Sequence, residues 1–217
     1  DEPIIFVQVA LTKGLGKSIQ ELMKPSIGDQ TKYDTATFYS ISNCQEGLSR
    51  VTLGNFLIKR VIYEIQEELP HIKNFGTLSP IPGFVDWFSY LEQNKIKNIL
   101  KNLPDQDLSF LKSKNLKIGD NRILLNKDAI MKLVIHYINN EKNHKGLPIN
   151  EVSRFHLGNG AIVDDIVINA NISEIGFKRS FGVMVNYLYE LKNIEKNHED
   201  YINNKKVIIS NKLKKYL

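Results

Sequence analysis

Hydrophobic positions along the chain follow two rhythms, one of strand length and one of helical period. Ile4 to Leu11 and Thr35 to Ser42 are runs of apolar, β-branched and aromatic residues bounded by turn signals, and they predict strands. Between them, Ser18-Ile19-Gln20-Glu21 sets a glutamate three residues after a serine. That capping-box pattern predicts a short helix ending before Pro25. From Leu53 to Leu69 the apolar positions Leu53, Phe56, Leu57, Val61, Ile65 and Leu69 fall at spacings of three and four, predicting an amphipathic helix stopped by Pro70. A strand over about Asn74 to Leu78 follows. This alternation of strand and helix is the pattern of an α/β layer structure.

The period then becomes mostly helical from Gly83 to Glu141, with Asn126 as the expected cap of a helix over Lys127 to Asn140 and a polar, lysine-rich stretch over Asn94 to Gly119. These residues, about 85–147, read as a helical insertion covering one side of the sheet. After Pro148 strands are expected at about Ala161 to Asn169 and Phe181 to Tyr189, and a last amphipathic helix over Glu199 to Tyr216. The sequence contains no internal repeat, and its asparagine and lysine enrichment is diffuse.

Composition narrows the range of partners. With 217 residues, 42% of them hydrophobic, the chain can bury a core as one large domain or two small ones. The net charge of +5 raises nucleic acid as a partner. The lysines, however, are scattered among asparagine and glutamate rather than clustered with aromatics, so no nucleic acid is expected and an anionic small ligand fits better. Lys205, Lys206, Lys212, Lys214 and Lys215 read as a solvated helix face. No apolar run approaches the roughly 20 residues of a membrane span, so no membrane association is expected. One cysteine, Cys44, leaves no intrachain disulfide and fits a reducing compartment. The first residue is not Met and a strand begins at once, which suggests a longer polypeptide.

Three stretches carry candidate chemistry. Thr77-Leu78-Ser79-Pro80-Ile81-Pro82-Gly83-Phe84 sets a hydroxyl at the end of an apolar strand and clamps the backbone behind it, since proline fixes φ and restricts the residue before it. Ser79 lacks a Gly-x-Ser-x-Gly elbow, so by itself it reads as a strand-end cap or as an active-site hydroxyl. Phe155-His156-Leu157-Gly158-Asn159-Gly160-Ala161 offers a histidine beside two glycines that permit close backbone approach. An unperturbed imidazole, with a pKa of about 6.5, can give or take a proton near neutrality. The remaining histidines, His71, His136, His144 and His198, form no zinc ligand set with His156 and read as surface or packing residues. Third, the turn from Asn43 to Gly54 leads into the predicted helix, where free backbone N–H groups and the helix dipole favour a phosphate.

Together with Phe38-Tyr39-Ser40-Ile41-Ser42, Gln45-Glu46-Gly47-Leu48 and Leu53-Gly54-Asn55-Phe56-Leu57-Ile58-Lys59-Arg60, these motifs resemble the C-terminal catalytic domain of the malonyl-CoA decarboxylase family, in order, from Pro3 to about Leu191. The resemblance implies a GNAT-like acyl-CoA-binding fold, a mixed central sheet flanked by helices, spanning residues 1–217 as one catalytic domain. It implies decarboxylation of malonyl-CoA to acetyl-CoA, within fatty acid metabolism. Ser79 and His156 would be the catalytic residues, and Ser49, Arg50, Val51, Thr52, Leu53, Gly54 and Asn55 would bind the CoA phosphates. Only Gly54 and the helix-opening hydrophobics match the glycine-rich pyrophosphate loop of generic acetyltransferases. The stretch Gly182-Val183-Met184-Val185-Asn186-Tyr187-Leu188-Tyr189 is also similar to the family, with Tyr187 either near the thioester or in the core. No metal or cofactor is expected, because the thioester itself is the electron sink. The family's helical N-terminal domain, through which the full-length proteins oligomerise, does not occur within these residues. Members occur in bacterial cytoplasm, mitochondria and peroxisomes; the cytoplasm is expected here, with the mitochondrial matrix as the alternative, because Lys215-Tyr216-Leu217 departs from a Ser-Lys-Leu address. A GNAT-type CoA-dependent acyltransferase and a catalytically silent CoA-binding module are the competing readings.

Overall fold

The computed structural model of the protein describes residues 5–25, 29–43, 54–101, 103, 108–113 and 116–217. Five strands, β1 (Ile5–Thr12), β2 (Thr35–Asn43), β3 (Asn74–Thr77), β4 (Ile162–Val167) and β5 (Met184–Leu188), form a mixed sheet in the order β1-β2-β3-β5-β4. Nine α-helices occur among the described residues: α1 (Ile19–Leu22), α2 (Gly54–Glu68), α3 (Phe84–Tyr90), α4 (Gln93–Ile99), α5 (Asn121–Leu125), α6 (Lys127–Asn139), α7 (Glu151–Gly158), α8 (Glu174–Ser180) and α9 (Ile194–Asn204). The α/β class and the mixed sheet flanked by helices are those expected from the sequence.

The pairing follows from the connections. β1 and β2 are antiparallel from Ile5 opposite Asn43 to Thr12 opposite Thr35, with an irregularity between Gln8 and Val9. β2 and β3 are parallel from Thr35 opposite Asn74 to Phe38 opposite Thr77, and α2 supplies the crossover that a parallel pair requires. β5 runs antiparallel to β3, with Gly76 opposite Leu188. That pairing brings the Tyr187 and Tyr189 backbone alongside the end of β3.

The chain divides into two compact units. One comprises residues 1–79, 155–163 and 186–208; the other comprises 80–154, 164–185 and 209–217. In the first, Phe38, Ile58, Ile62, Ile72, Phe75, Leu78, Tyr187 and Tyr189 are buried. The second is built on α3 to α6 and α8, with Phe84 edge-on to Tyr137 (5.7 Å) and to Phe181 (6.2 Å). Burying each such Phe or Ile contributes about 1.5–3 kcal/mol.

Several boundaries differ from expectation. α7 and α8 are absent from the periodicity. α7 is only eight residues long, and α8 opens on Ser173, whose hydroxyl accepts the Gly176 N–H, and closes on Phe181 with φ +53. Phe181 is therefore a helix cap and not the start of a strand. Asn126 does precede α6, but its side chain donates to the Arg122 carbonyl and closes α5 instead of capping α6. The expected C-terminal helix is broken: α9 ends at Lys205 with φ +55, where the Lys205 N–H donates to the Tyr201 carbonyl in the 5→1 bond of an αL cap and the Lys206 N–H to the Asp200 carbonyl, and residues Asn211–Tyr216 form a separate 3₁₀ turn.

Candidate active site

Ser79 lies just beyond the end of β3. The Leu78 N–H still donates to the Phe38 carbonyl of β2 (3.0 Å), so strand pairing holds the chain up to the residue before the serine. Beyond it the Pro82 carbonyl accepts both the Tyr137 hydroxyl (3.0 Å) and the Asn150 amide (2.9 Å), which occupies its two lone pairs. Gly83 then turns into α3 at φ +78, and a Cβ there would come within 2.8 Å of the Tyr137 hydroxyl oxygen. The backbone after Ser79 is thus fixed by hydrogen bonds as well as by its prolines.

His156 is carried on α7. Asn150 caps that helix: its Oδ1 accepts the Ser153 N–H (2.8 Å) and the Ser153 hydroxyl (2.9 Å). The same buried side chain donates to Pro82, so one amide holds both the helix bearing the histidine and the turn that follows the serine. Past the histidine, Gly158 is an ordinary helical residue, contrary to the freedom expected of it. Gly160 is the residue that needs glycine, because it sits at φ +81 and a Cβ would collide with the Ile194 carbonyl.

These supports bring the two predicted residues together across 77 positions of sequence, with Ser79 Oγ 2.9 Å from His156 Nε2. The serine hydroxyl donates to Thr77 Oγ1 (2.7 Å), which also accepts the Tyr187 N–H (3.3 Å). On the other side of the ring, His156 Nδ1 lies 2.9 Å from the Tyr189 hydroxyl. The Tyr187 ring stacks on the imidazole at 4.6 Å between centroids, with the planes 25° apart. Ser79 is 5% exposed and His156 3%.

The partners fix the tautomer. A buried Tyr189 O–H needs an acceptor, and Nδ1 is in reach; the Ser79 hydroxyl already spends its hydrogen on Thr77, so its oxygen accepts from Nε2–H. Both ends of the chain therefore assign the proton to Nε2. Burial with no charged partner lowers the imidazole from its ordinary 6.5 to about 3, and burial also raises the Tyr189 phenol well above 10.0. The titration near neutrality expected from an unperturbed histidine is thus corrected: the ring is neutral at physiological pH. A third member that donates, in place of a carboxylate, leaves the imidazole unsuited to deprotonating Ser79.

A stability effect follows. The unfolded chain takes up the imidazole proton below about pH 6.5 while the folded chain does not until about pH 3. Stability from this group is therefore complete above pH 6.5 and is lost as pH falls toward 3. Urea unfolding at pH 7 and pH 5 should show the wild-type chain losing about 2 kcal/mol more than His156→Gln. Equal losses would contradict a neutral, buried His156.

Of the expected phosphate loop, Ser49, Arg50, Val51, Thr52 and Leu53 lie outside the described residues, as does Cys44. Gly54 opens α2 and Asn55 lies in its first turn, so the backbone enters the helix where the sequence predicted. His71 Nε2 contacts the Gln30 carbonyl (3.1 Å), and His136 stacks on Trp87 within 3.4 Å of Glu141, both packing roles. Among the described residues, no three His, Cys, Asp or Glu side chains converge on a metal-sized site, and no helix is long and apolar enough to cross a membrane. Thr77 and Tyr189 were not anticipated. The signal for both was parity: each lies two residues along extended chain from a residue already singled out, Ser79 and Tyr187, and so shares its side.

Over residues 1–217 the chain matches the malonyl-CoA decarboxylase C-terminal domain, and it belongs to that family. It is 36% identical over 228 residues to the mitochondrial malonyl-CoA decarboxylase of Anser anser anser, covering 95% of this chain and 45% of that protein. It is 33% identical over 234 residues to the mitochondrial malonyl-CoA decarboxylase of Rattus norvegicus, covering 98% and 47%. The crystal structure of malonyl-CoA decarboxylase from Rhodopseudomonas palustris superposes with a TM-score of 0.83 at 36% identity, over 99% of this chain and 50% of that one. The chain spans about half the length of these relatives.

Proposed function

We propose that this chain decarboxylates malonyl-CoA to acetyl-CoA and carbon dioxide, with Ser79 and His156 at the reacting carbon. The observation that carries the reading is the 2.9 Å contact between Ser79 Oγ and His156 Nε2, made by two residues far apart in sequence. Loss of carbon dioxide leaves an electron pair shared between the α-carbon and the thioester oxygen. Nε2–H gives its proton to that carbon, and the Tyr189 hydroxyl supplies Nδ1 in the same movement, so the imidazole stays neutral and the charge rests for that moment on the phenolate oxygen. A solvent proton then enters at Nε2 while the Nδ1 proton returns to Tyr189, which restores the resting tautomer, and the balance is malonyl-CoA plus a proton to acetyl-CoA plus carbon dioxide. Ser79 accepts from Nε2–H at rest; with substrate bound, its hydroxyl turns from Thr77 to the malonyl carboxylate or the developing oxyanion. No metal takes part, because the thioester accepts the electrons. A positioned acid contributes about 10²–10⁴-fold in rate, and an oxyanion donor about 2.7–4 kcal/mol.

Residues 49–55 bind the CoA phosphates in this reading, supported by the opening of α2 at Gly54, whose free N–H groups and dipole favour an anion. Gly54→Asp should weaken CoA binding, measured by calorimetry, by adding bulk and negative charge there. Unchanged affinity in a folded variant would remove this turn from the site. Tyr189 supplies the proton that replaces the one leaving Nε2, so Tyr189→Phe should lower kcat about 10²-fold or more with KM nearly constant and should release the imidazole tautomer. Full kcat in that variant would dismiss the relay. The protein works in the cytoplasm or the mitochondrial matrix, and the full-length form associates through its additional domain.

The test is incubation with malonyl-CoA, following acetyl-CoA, with and without an amine acceptor and EDTA. Acetyl-CoA should form irrespective of acceptor and chelator. Malonyl transfer to the amine would favour an acyltransferase, binding without turnover would mean a silent module, and loss with EDTA restored by a divalent ion would sink the metal-free route.

A further inference from the structure

Lys132, in the middle of α6, is the exception among the described lysines. It is 7% exposed, and among the described residues its ammonium makes no ion pair and no hydrogen bond. A buried cation left without a counter-charge is costly, since the desolvation of an ammonium is offset only by a partner or by water. Its Nζ is not an enclosed atom, however, because the side chain lines a cavity of about 590 Å³. Lys101 and the carboxamides of Asn98, Asn139 and Asn140 line the same cavity, and Ile99 and Ile135 give it apolar wall. Lys95, also in the lining, is paired with Glu141 (3.0 Å); among the described residues no Asp or Glu lines the cavity, and Leu217, which bears the α-carboxylate, is in the lining but makes no ion pair with Lys132. Asp128, one turn before Lys132, is engaged by the Tyr216 hydroxyl.

We infer that this cavity binds a small organic anion, its carboxylate or phosphate on Lys132 and its short apolar body along Ile99 and Ile135. The size lies within the range of small-molecule sites, about 300–1,000 Å³. Lysine acts as a point charge without the planar fork of arginine, so it accepts either headgroup, and the amides add donors that a cation would not need. All the lining residues belong to the second unit, whereas Ser79, His156 and Tyr189 belong to the first. The inference does not depend on the decarboxylase reading.

Calorimetric titration of the 217-residue chain with hexanoate, hexyl phosphate, hexanol and hexylamine tests it. At least one of the two anions should bind one-to-one, and the tighter one identifies the headgroup; hexanol and hexylamine should not bind. Lys132→Met keeps the buried stem without the charge and should weaken the anion at least tenfold, while Lys132→Arg should keep it within about threefold. Should Lys132→Met fail to fold by circular dichroism, Lys101→Glu, an exposed change at the same cavity, should weaken the anion by repulsion. Ser79→Ala should bind it normally. Saturable binding of neither anion, binding indifferent to Lys132→Met and Lys101→Glu, or binding lost in Ser79→Ala would overturn the assignment.

Discussion

Replacing His156 by glutamine is expected to lower acetyl-CoA formation by about 10²-fold or more while malonyl-CoA still binds. Glutamine keeps a hydrogen-bonding side chain of similar reach but cannot pass a proton from one end to the other. The wild-type ring has Ser79 on Nε2 and Tyr189 on Nδ1, each at 2.9 Å, which is the geometry of a two-ended relay. Steady-state kinetics with a direct binding measurement separate the two effects: kcat should collapse and Kd should stay within a few-fold. A fully active His156→Gln enzyme would dismiss the residue as the acid and turn attention to Tyr187, stacked on its face.

Ser79→Ala is expected to cost about 10²–10³-fold in turnover, the range measured for loss of one donor to a developing oxyanion. CoA affinity should hardly change, because the lost hydroxyl serves the malonyl end of the substrate. Stability should fall by about 1–3 kcal/mol, since the change strands the buried Nε2–H of His156 without its acceptor. Normal turnover with that same loss of stability would return Ser79 to a strand-end cap.

α2 was legible because its burial is one-sided and therefore periodic, and the strands because they are short apolar runs, in keeping with β3 and β5, whose residues are nearly all buried; predicted and observed limits agree within a few residues from Ile5 to Thr77. What failed was set by caps rather than by periodicity. Lys205 ends α9 at positive φ although lysine carries no breaker signal, and Phe181 ends α8 in the same way. α7 was missed although Asn150 and Ser153 form a cap that sequence could have suggested, because its eight residues are too few to establish a helical period. Ser79 and His156 came from family motifs, and no local spacing could have revealed their contact, because the fold brings together positions 77 apart in sequence. The imidazole's protonation was illegible for the same reason. It depends on burial and on the absence of a charged neighbour, and both are properties of the folded surroundings.

The most direct test of the account is ¹⁵N NMR of histidine-labelled protein across about pH 5 to 8. His156 should appear as a neutral imidazole protonated at Nε2, with Nδ1 shifted as an acceptor from Tyr189, and its resonances should not titrate over that range. A His156 signal that titrates near pH 6.5, or one that reports the proton on Nδ1, would contradict the neutral relay from Tyr189 through His156 to the substrate carbon.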